Sequence, residues 1–264
     1  MKGSMNPNKG ILKYEAGIRK FSLSRHAPSE DLRFFVKHYW LLQWDLRGQA
    51  PHTQEVLQHP GVNVVIEHGA SRICGITSGK STHVLQGKGQ IVGVLFRPGA
   101  FRGFIQSPAS ALTDRVVEVA DCFDIDTAAF EEALFALEND EAKIAFVERL
   151  LRRHIPERDD TVDTLNEVID CIIRDRHITK VEQLAEQFGI TKRTLQRWFN
   201  EYVGVSPKWV IMRYRMHEAA ELIESGADPL QAAMALGYAD QAHFCKDFKA
   251  AVGKTPKQFA RTGT

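Results

Sequence analysis

The sequence has few cysteines, and none is paired in a pattern that chemistry would use. Cys74, Cys122, Cys171 and Cys245 are scattered, with no Cys-x-x-Cys. That spacing argues against a structural zinc site and a disulfide framework; it reads as reduced, small, buried side chains in a cytoplasmic protein. No apolar run approaches the roughly 18 residues that a membrane span needs. No charged n-region with an apolar h-region opens the chain. Met1-Lys2-Gly3-Ser4 ahead of Met5 reads as a vector-derived leader and takes no part in the fold reasoning. A surplus of one charge sign is missing too. The formal net charge is +1, so bulk charge predicts no nucleic-acid partner. From His177 onward, 12 Lys/Arg stand against 9 Asp/Glu, a surplus of only three. His-x-His is absent, and His52, His59, His68 and His83 stand apart. Neither a metal site nor a bound cofactor is expected from them. Gly-x-Ser-x-Gly and phosphate-cradling loops are absent as well, which weighs against an enzyme.

What is present falls into three regions. Residues 30–110 hold short runs rich in β-branched and aromatic residues: 38–44, 62–66, 72–76 and 91–96. His59-Pro60-Gly61, Gly87-Lys88-Gly89 and Arg97-Pro98-Gly99 punctuate them as turns. Strands at this spacing, with no helices between them, predict an antiparallel sandwich or barrel. Residues 126–154 change to helical period, with Phe130, Leu134 and Leu137 on one stripe and Ile144, Val147 and Leu151 on another. Ile155-Pro156-Glu157-Arg158-Asp159-Asp160 is polar, carries a proline and lacks a period, so it reads as an interdomain linker. Everything after it is helical in pattern. The expected class is α+β in two domains: residues 5–156 for effector binding or dimerisation, and an all-α domain at 157–264.

The helical half writes one ending twice, FNEYVGVSPK at 199–208 and FKAAVGKTPK at 248–257. Phe, Val, Gly, Pro and Lys recur at one offset (199 to 248, 204 to 253). Upstream of each ending, Ala185-x3-Gly189 and Ala233-x3-Gly237 repeat a small residue and a turn glycine. Thr179, with Glu182 three residues on, has the form of a helix start, and Thr191, Asp228 and Asp240 can cap further helices. Leu195 and Phe199, then Phe244 and Phe248, each share one helix face. A small residue, a glycine turn and a second amphipathic helix make a helix-turn-helix, and internal repetition makes the assignment strong. One long helix joins the two copies, its Trp209, Val210, Met212, Met216, Ala220 and Ile223 expected to pack against both.

These residues resemble the AraC/XylS-type family of transcription regulators. The resemblance is carried by Leu184-Ala185-x3-Gly189-Ile190-Thr191, Gly204-Val205-Ser206-Pro207, Arg213-x-Arg215-x3-Ala219, Ala232-Ala233-x3-Gly237-Tyr238 and Gly253-Lys254-Thr255-Pro256-x2-Phe259. It covers about 100 residues, 164–261, and implies a seven-helix domain holding two recognition helices in consecutive major-groove segments. Ala260 departs from the arginine the family usually carries there, and Asp247 puts an acid in the second recognition helix.

A charged residue alone is usually a solvated helix face. On a helix assigned to the groove it becomes a reader. Arg193, Gln196 and Arg197 face away from Leu195 and Phe199, and Gln241, His243 and Lys246 hold the equivalent face of the second copy; these are the expected base contacts. Ala242, between them, offers only a methyl. Thr191, Lys192, Lys208, Lys254 and Lys257 flank the helices and are the expected phosphate contacts. Family members with an N-terminal domain often carry a cupin-like β barrel that binds an effector or dimerises. The run 94–101 resembles a segment of one such subgroup. Trp40, Trp44, Phe96 and Phe104 are the aromatic residues available to line a ligand pocket, although core packing is their commoner use. The resemblance implies double-stranded DNA as partner, with an effector, a second copy and RNA polymerase as further ones, and no membrane. The alternative is a barrel enzyme or architectural DNA binder that uses the module as a tether.

Overall fold

The computed structural model describes residues 10–261; the leader at residues 1–4 and the outer limits of the expected domains, 5 and 264, lie outside the described residues. Alternation along the strands decides the first half. β1 (Ser22–His26), β2 (Val36–Leu46), β4 (Asn63–Glu67), β5 (Arg72–Cys74), β7 (Gly87–Phe96) and β8 (Val116–Glu118) form one antiparallel sheet in the order β1-β2-β7-β4-β5-β8. β3 (His52–Val56) and β6 (Ser81–Leu85) pair with each other as a separate two-stranded ribbon.

One face of the large sheet presents Tyr39, Leu41, Val64, Ile66, Val94 and Phe96 to α2 (Thr127–Phe135) and α3 (Asp140–His154). Leu134, Val147, Leu150 and Leu151 close that core from the helix side. Asp126 and Asn139 cap the two helices by accepting from Ala129 N and Ala142 N. The other face turns Leu23, Arg25, His38, Trp40, Leu42 and Val65 toward the ribbon, across a cavity. A helix pair on one face and a ribbon on the other give a half-open barrel.

β1, β3, β6 and β8 were not among the expected strands, and the reason is physical. β3 and β6 turn Gln54 and His83 to the cavity rather than to a packed core. Their other face, with Thr53, Thr82 and Val84 exposed, meets solvent instead of a core, so neither face carries a strong apolar signal.

The second half is α4 (Asp160–Arg174), α5 (Val181–Gln187), α6 (Lys192–Trp198), α7 (Pro207–Glu224), α8 (Pro229–Ala235), α9 (Gln241–Val252) and α10 (Pro256–Arg261). A four-residue helix, α1 (Tyr14–Gly17), precedes β1. The two halves share their cores. Val162 of α4 belongs to the sheet's core, Ile76 packs into the first helical module, and Leu12 and Leu57 pack into the second. The linker read at 155–160 therefore joins two units in wide contact. Asp159 ends it by accepting from Thr161 N at 2.9 Å and from the Tyr202 hydroxyl at 2.6 Å.

Candidate nucleic-acid interface

α5 and α6 form the first module, α8 and α9 the second. Both turns need a residue at positive φ, and both have glycine: Gly189 at +63° and Gly237 at +72°. Thr191 caps α6 by accepting from Thr194 N at 3.1 Å. Asp240 caps α9 by accepting from Ala242 N at 2.9 Å and His243 N at 3.2 Å. Asp228 caps α8 ahead of Pro229, and Ser206 caps α7 ahead of Pro207. At α5 the structure differs from expectation. The N-cap is Lys180, and Gln183 Oε1 accepts from both Thr179 N and Lys180 N at 2.9 Å, so Gln183 does the work assigned to Glu182.

The two recognition helices end differently. From Phe199 to Val203 the first widens into a π turn, closed by Gly204 N donating to Phe199 O at 2.7 Å. The second stays α-helical, with Gly253 N on Lys249 O at 2.8 Å. The widened turn carries ties to the first half. Glu201 pairs with Arg102 at 2.8 Å, and Gly204 O accepts from Thr113 Oγ1 at 2.6 Å.

Leu195, Phe199, Phe244 and Phe248 are all 0% exposed. Opposite them, Arg193, Gln196 and Arg197 on α6, and Gln241, Ala242, His243 and Lys246 on α9, are exposed. Among the described residues, no hydrogen bond or ion pair holds Arg193, Gln196, Arg197, Gln241 or Lys246. His243 stands one turn from Asp247, its Nε2 3.3 Å from Oδ2. Asp247 also accepts from the Tyr238 hydroxyl at 3.0 Å, so the acid braces the turn instead of facing a groove alone. Arg215 stacks over Tyr238, 4.2 Å from the ring centre, and donates to Leu236 O.

Of the flanking cations, Lys208 and Lys257 are exposed. Lys192 pairs with Glu182, an exposed pair that gives way readily to a phosphate. Lys254 is engaged elsewhere: its Nζ lies 3.4 Å from Glu55 of β3, which also pairs with Lys80. Burial would raise the Glu55 carboxyl, but the two ammoniums outweigh it and hold it below its ordinary value.

The aromatic set read as a pocket divides between the two faces of the sheet. Trp40 lines the cavity, opposite Gly93 on β7; a Cβ at Gly93 would meet its ring at 1.9 Å. Trp44 lies over Gly89 in the same way, outside the cavity, and donates to Gln86 O at 3.0 Å. Phe96 points to the helix side with Phe104, ring centres 5.3 Å apart, and packs in the core. Phe96 stands three positions after Gly93, and an odd step along a strand changes the face. The cavity, of about 190 Å³, is instead walled by residues such as Phe21, Leu42, Leu85 and Ile91.

Sequence reasoning missed the face of α7 that meets the first half. Arg213 is 3% exposed and His217 1%. One Arg213 Nη2 donates to the carbonyls of Thr77, Ser78 and Gly79 at 3.0, 2.8 and 2.8 Å. Burial pushes its pKa down to about 10. Trp209 lies under the guanidinium and donates to Ser78 O, while it also packs on the first module's core beside Val210; Met212, Met216, Ala220 and Ile223 pack on the second's. His217 meets His59, ring centres 4.7 Å apart. The spacing 209-213-217 puts these three on one helix face, and that was the available signal. The run 94–101 docks on α4 instead: Arg97 Nε donates to Asn166 Oδ1, and Asn166 Nδ2 to Pro98 O at 3.0 Å.

Two family models match. Residues 24–118 match a domain of unknown function (DUF6597), and residues 184–262 match a helix-turn-helix domain. The HTH-type transcriptional activator RhaS of Escherichia fergusonii is 27% identical over 151 residues, 56% of this chain and 51% of that protein. The probable transcription factor PqrA of Proteus vulgaris is 33% identical over 86 residues, 32% of this chain and 70% of that protein. A solved structure described as a probable AraC family transcriptional regulator from Rhodopseudomonas palustris is 25% identical, covering 40% of this chain and 98% of that one at a TM-score of 0.35. The chain spans about half, or less, of the length of the first curated relatives it matches.

Proposed function

We propose a function from one premise: the chain belongs to the AraC/XylS-type family of bacterial transcription regulators. It is a sequence-specific DNA-binding regulator that reads two adjacent major-groove segments with α6 and α9. One observation carries this reading: each module buries one side of its recognition helix completely and leaves a polar, donor-rich side in solvent. Arg193 and Arg197 match guanine O6 and N7, and Gln196 and Gln241 match adenine N6 and N7. His243 and Lys246 complete the second reading face, and Thr191, Lys192, Lys208, Lys254 and Lys257 take phosphates. The β half senses a small-molecule effector in its cavity or joins two copies, and it passes the outcome to the modules through the contacts at Glu55, Arg213 and Glu201. RNA polymerase is the downstream partner of such a regulator, in the bacterial cytoplasm. The reading assigns the chain no reaction.

Footprinting on the chain's own upstream DNA tests it. One protomer should protect two patches roughly 10 bp apart, centre to centre. Five base pairs inserted between them should reduce affinity toward that of one half-site, while the nonspecific phosphate term persists. Uniform coating would replace this reading with an architectural one. Full tolerance of the insertion would mean that the two modules read DNA independently or that α6 alone reads it, the second because Ala242 and Asp247 give α9 the poorer face.

A further inference from the structure

Asp247 puts an acid on the helix that would enter a polyanion, and two contacts give it a use. Its side chain is only 18% exposed. The Tyr238 hydroxyl donates to its Oδ2 at 3.0 Å, and His243 Nε2, one helical turn back, stands 3.3 Å from the same oxygen. Tyr238 is itself fixed, because Arg215 of α7 lies over its ring and donates to Leu236 O. The His243 ring meets the edge of the Tyr238 ring, centres 5.6 Å apart. The His243 side chain is 64% exposed all the same, and among the described residues its Nδ1 has no partner. Two further charges stand near it on α9: Asp240, which accepts from the His243 backbone N–H, and Lys246, exposed to solvent.

A carboxylate only accepts, so the ring nitrogen beside it carries the proton. The contact at one ring nitrogen sets the state of the other. With Nε2 protonated, a neutral His243 presents Nδ1 as a bare acceptor. The donors that a major groove offers it are the amino groups at adenine N6 and cytosine N4. In a protonated ring both nitrogens donate. Nδ1–H then matches guanine O6 and N7, or thymine O4, while Nε2–H keeps Asp247 as its pair. Histidine is the side chain that makes this change near neutral pH.

We infer that Asp247 is a positioning residue for base reading. It fixes the His243 ring so that α9 takes adenine or cytosine at one position of its half-site when the ring is neutral, and guanine or thymine when the ring is protonated. The inference rests on the reading of α9 as a DNA reader. Fluorescence anisotropy of the full chain, on operators carrying each base pair in turn at the positions of that half-site, tests it. His243→Ala identifies the position, as the one whose preference disappears. There the unaltered chain should favour the amino-bearing base roughly 3–10-fold at about pH 8, and guanine or thymine by a similar factor at about pH 5.5. Ratios between operators at one pH cancel any general loss of stability or of phosphate contact. Asp247→Asn keeps an acceptor for Tyr238 but offers His243 a donor as readily, so the preference at the higher pH should fall to about twofold or less. Should that variant not fold, Tyr238→Phe releases the carboxylate and should reduce the same preference; binding to the α6 half-site reports the fold of either. A preference that does not change with pH, or an Asp247→Asn chain with the unaltered profile, overturns the inference. Gln241→Ala separates the failures. If it changes base preference in this half-site while His243→Ala changes none, α9 reads DNA and only the role given to His243 and Asp247 falls. If neither variant changes any, the reading of α9 falls with it.

Discussion

Glu55→Gln should weaken the fold and strengthen DNA binding at once. Glu55 sits between Lys80 and Lys254 with only 21% of its side chain exposed, so its two charged contacts are partly shielded from water. Lys254 itself is 36% exposed, which discounts the pair. Together the lost contacts should cost about 1–2 kcal/mol. In a chain of this size, that lowers Tm by about 2–6 °C. The gain is on DNA. Lys254 follows the glycine that ends α9, and Glu55 holds it on the β half. Freed, it can neutralise one more phosphate. Each such contact steepens the salt dependence by about 0.9 in slope and is worth roughly five- to tenfold near 0.1 M salt. Thermal melts, with fluorescence anisotropy on an operator fragment across a salt series, read both effects. A variant that melts lower with an unchanged slope would refute the reasoning, because Lys254 would then contribute the same to DNA with Glu55 as without it. Lys80→Met is the control: it disturbs the same carboxylate, keeps Lys254 engaged, and should leave the slope unaltered.

Other outcomes follow from the same geometry. Arg197→Ala should relax base preference at one operator position by roughly 1–3 kcal/mol and leave binding to random DNA almost unchanged; equal weakening on both DNAs would make Arg197 a phosphate contact. His38 is held down to about 4 by burial, then by Arg25 and Lys37, so the unfolded chain takes its proton first as pH falls from about 7. Stability should therefore drop between about pH 6.5 and 4, with His83 adding in the same direction, and His38→Asn should remove on the order of 1–3 kcal/mol of that loss in urea titrations. An identical pH profile in the variant would discard the assignment. Residues 157–264 alone should bind DNA yet melt below the full chain, since Val162, Arg213 and His217 lose partners in the first half. A fragment as stable as the whole, or one that only aggregates, contradicts this.

The helical half was legible because its constraints are local. Gly189 and Gly237 occupy positions that few other residues tolerate, and Leu195 with Phe199 or Phe244 with Phe248 reveal the helical period within a few residues. The polar faces were readable from the same period. The β half was legible only where strands pack against a core. β2 and β7 announce themselves, because the face they turn away from the cavity packs in the core; β3 and β6 do not, because theirs carries Thr53, Glu55, Thr82 and Val84 toward solvent. Pairing register was out of reach as well. Nothing in the order of residues says that Trp40 lies opposite Gly93, and without that the odd step to Phe96 cannot be recognised as a change of face. The tie between Glu55 and Lys254 spans 199 positions and consists of two ordinary surface residues, which carry no pattern to notice. The π turn at 199–203 was hidden for a related reason. From the N-cap to the final glycine both recognition helices have equal length (191 to 204, 240 to 253), and only the first is pulled by Arg102 and Thr113.

β3 brings the cavity and the second module within five residues of each other. Its alternation sends Gln54 and Val56 to the cavity and Glu55 to Lys80 and Lys254. The ribbon belongs to no part of the large sheet; side-chain packing positions it, with a short bridge to residues 10–12 in which Leu12 N donates to Glu55 O and Leu57 N to Gly10 O. Gln54 also donates to Leu12 O at 2.6 Å, and the Leu12 side chain lies in the second module's core. A body filling the cavity bears on the strand that grips this module. The first module is held elsewhere, at Glu201 and Gly204, by segments outside the ribbon. A ligand shifts an equilibrium only by its differential affinity for two arrangements, and here the ribbon and the second module are the parts placed to differ. Ligand should therefore alter protection of the operator half read by α9 and leave the half read by α6 nearly constant. Footprints at half-site resolution, with and without an effector that binds the β half, decide it. Equal changes in both halves would mean that the β half moves as one body, and that the signal travels through Arg213 and the whole of α7.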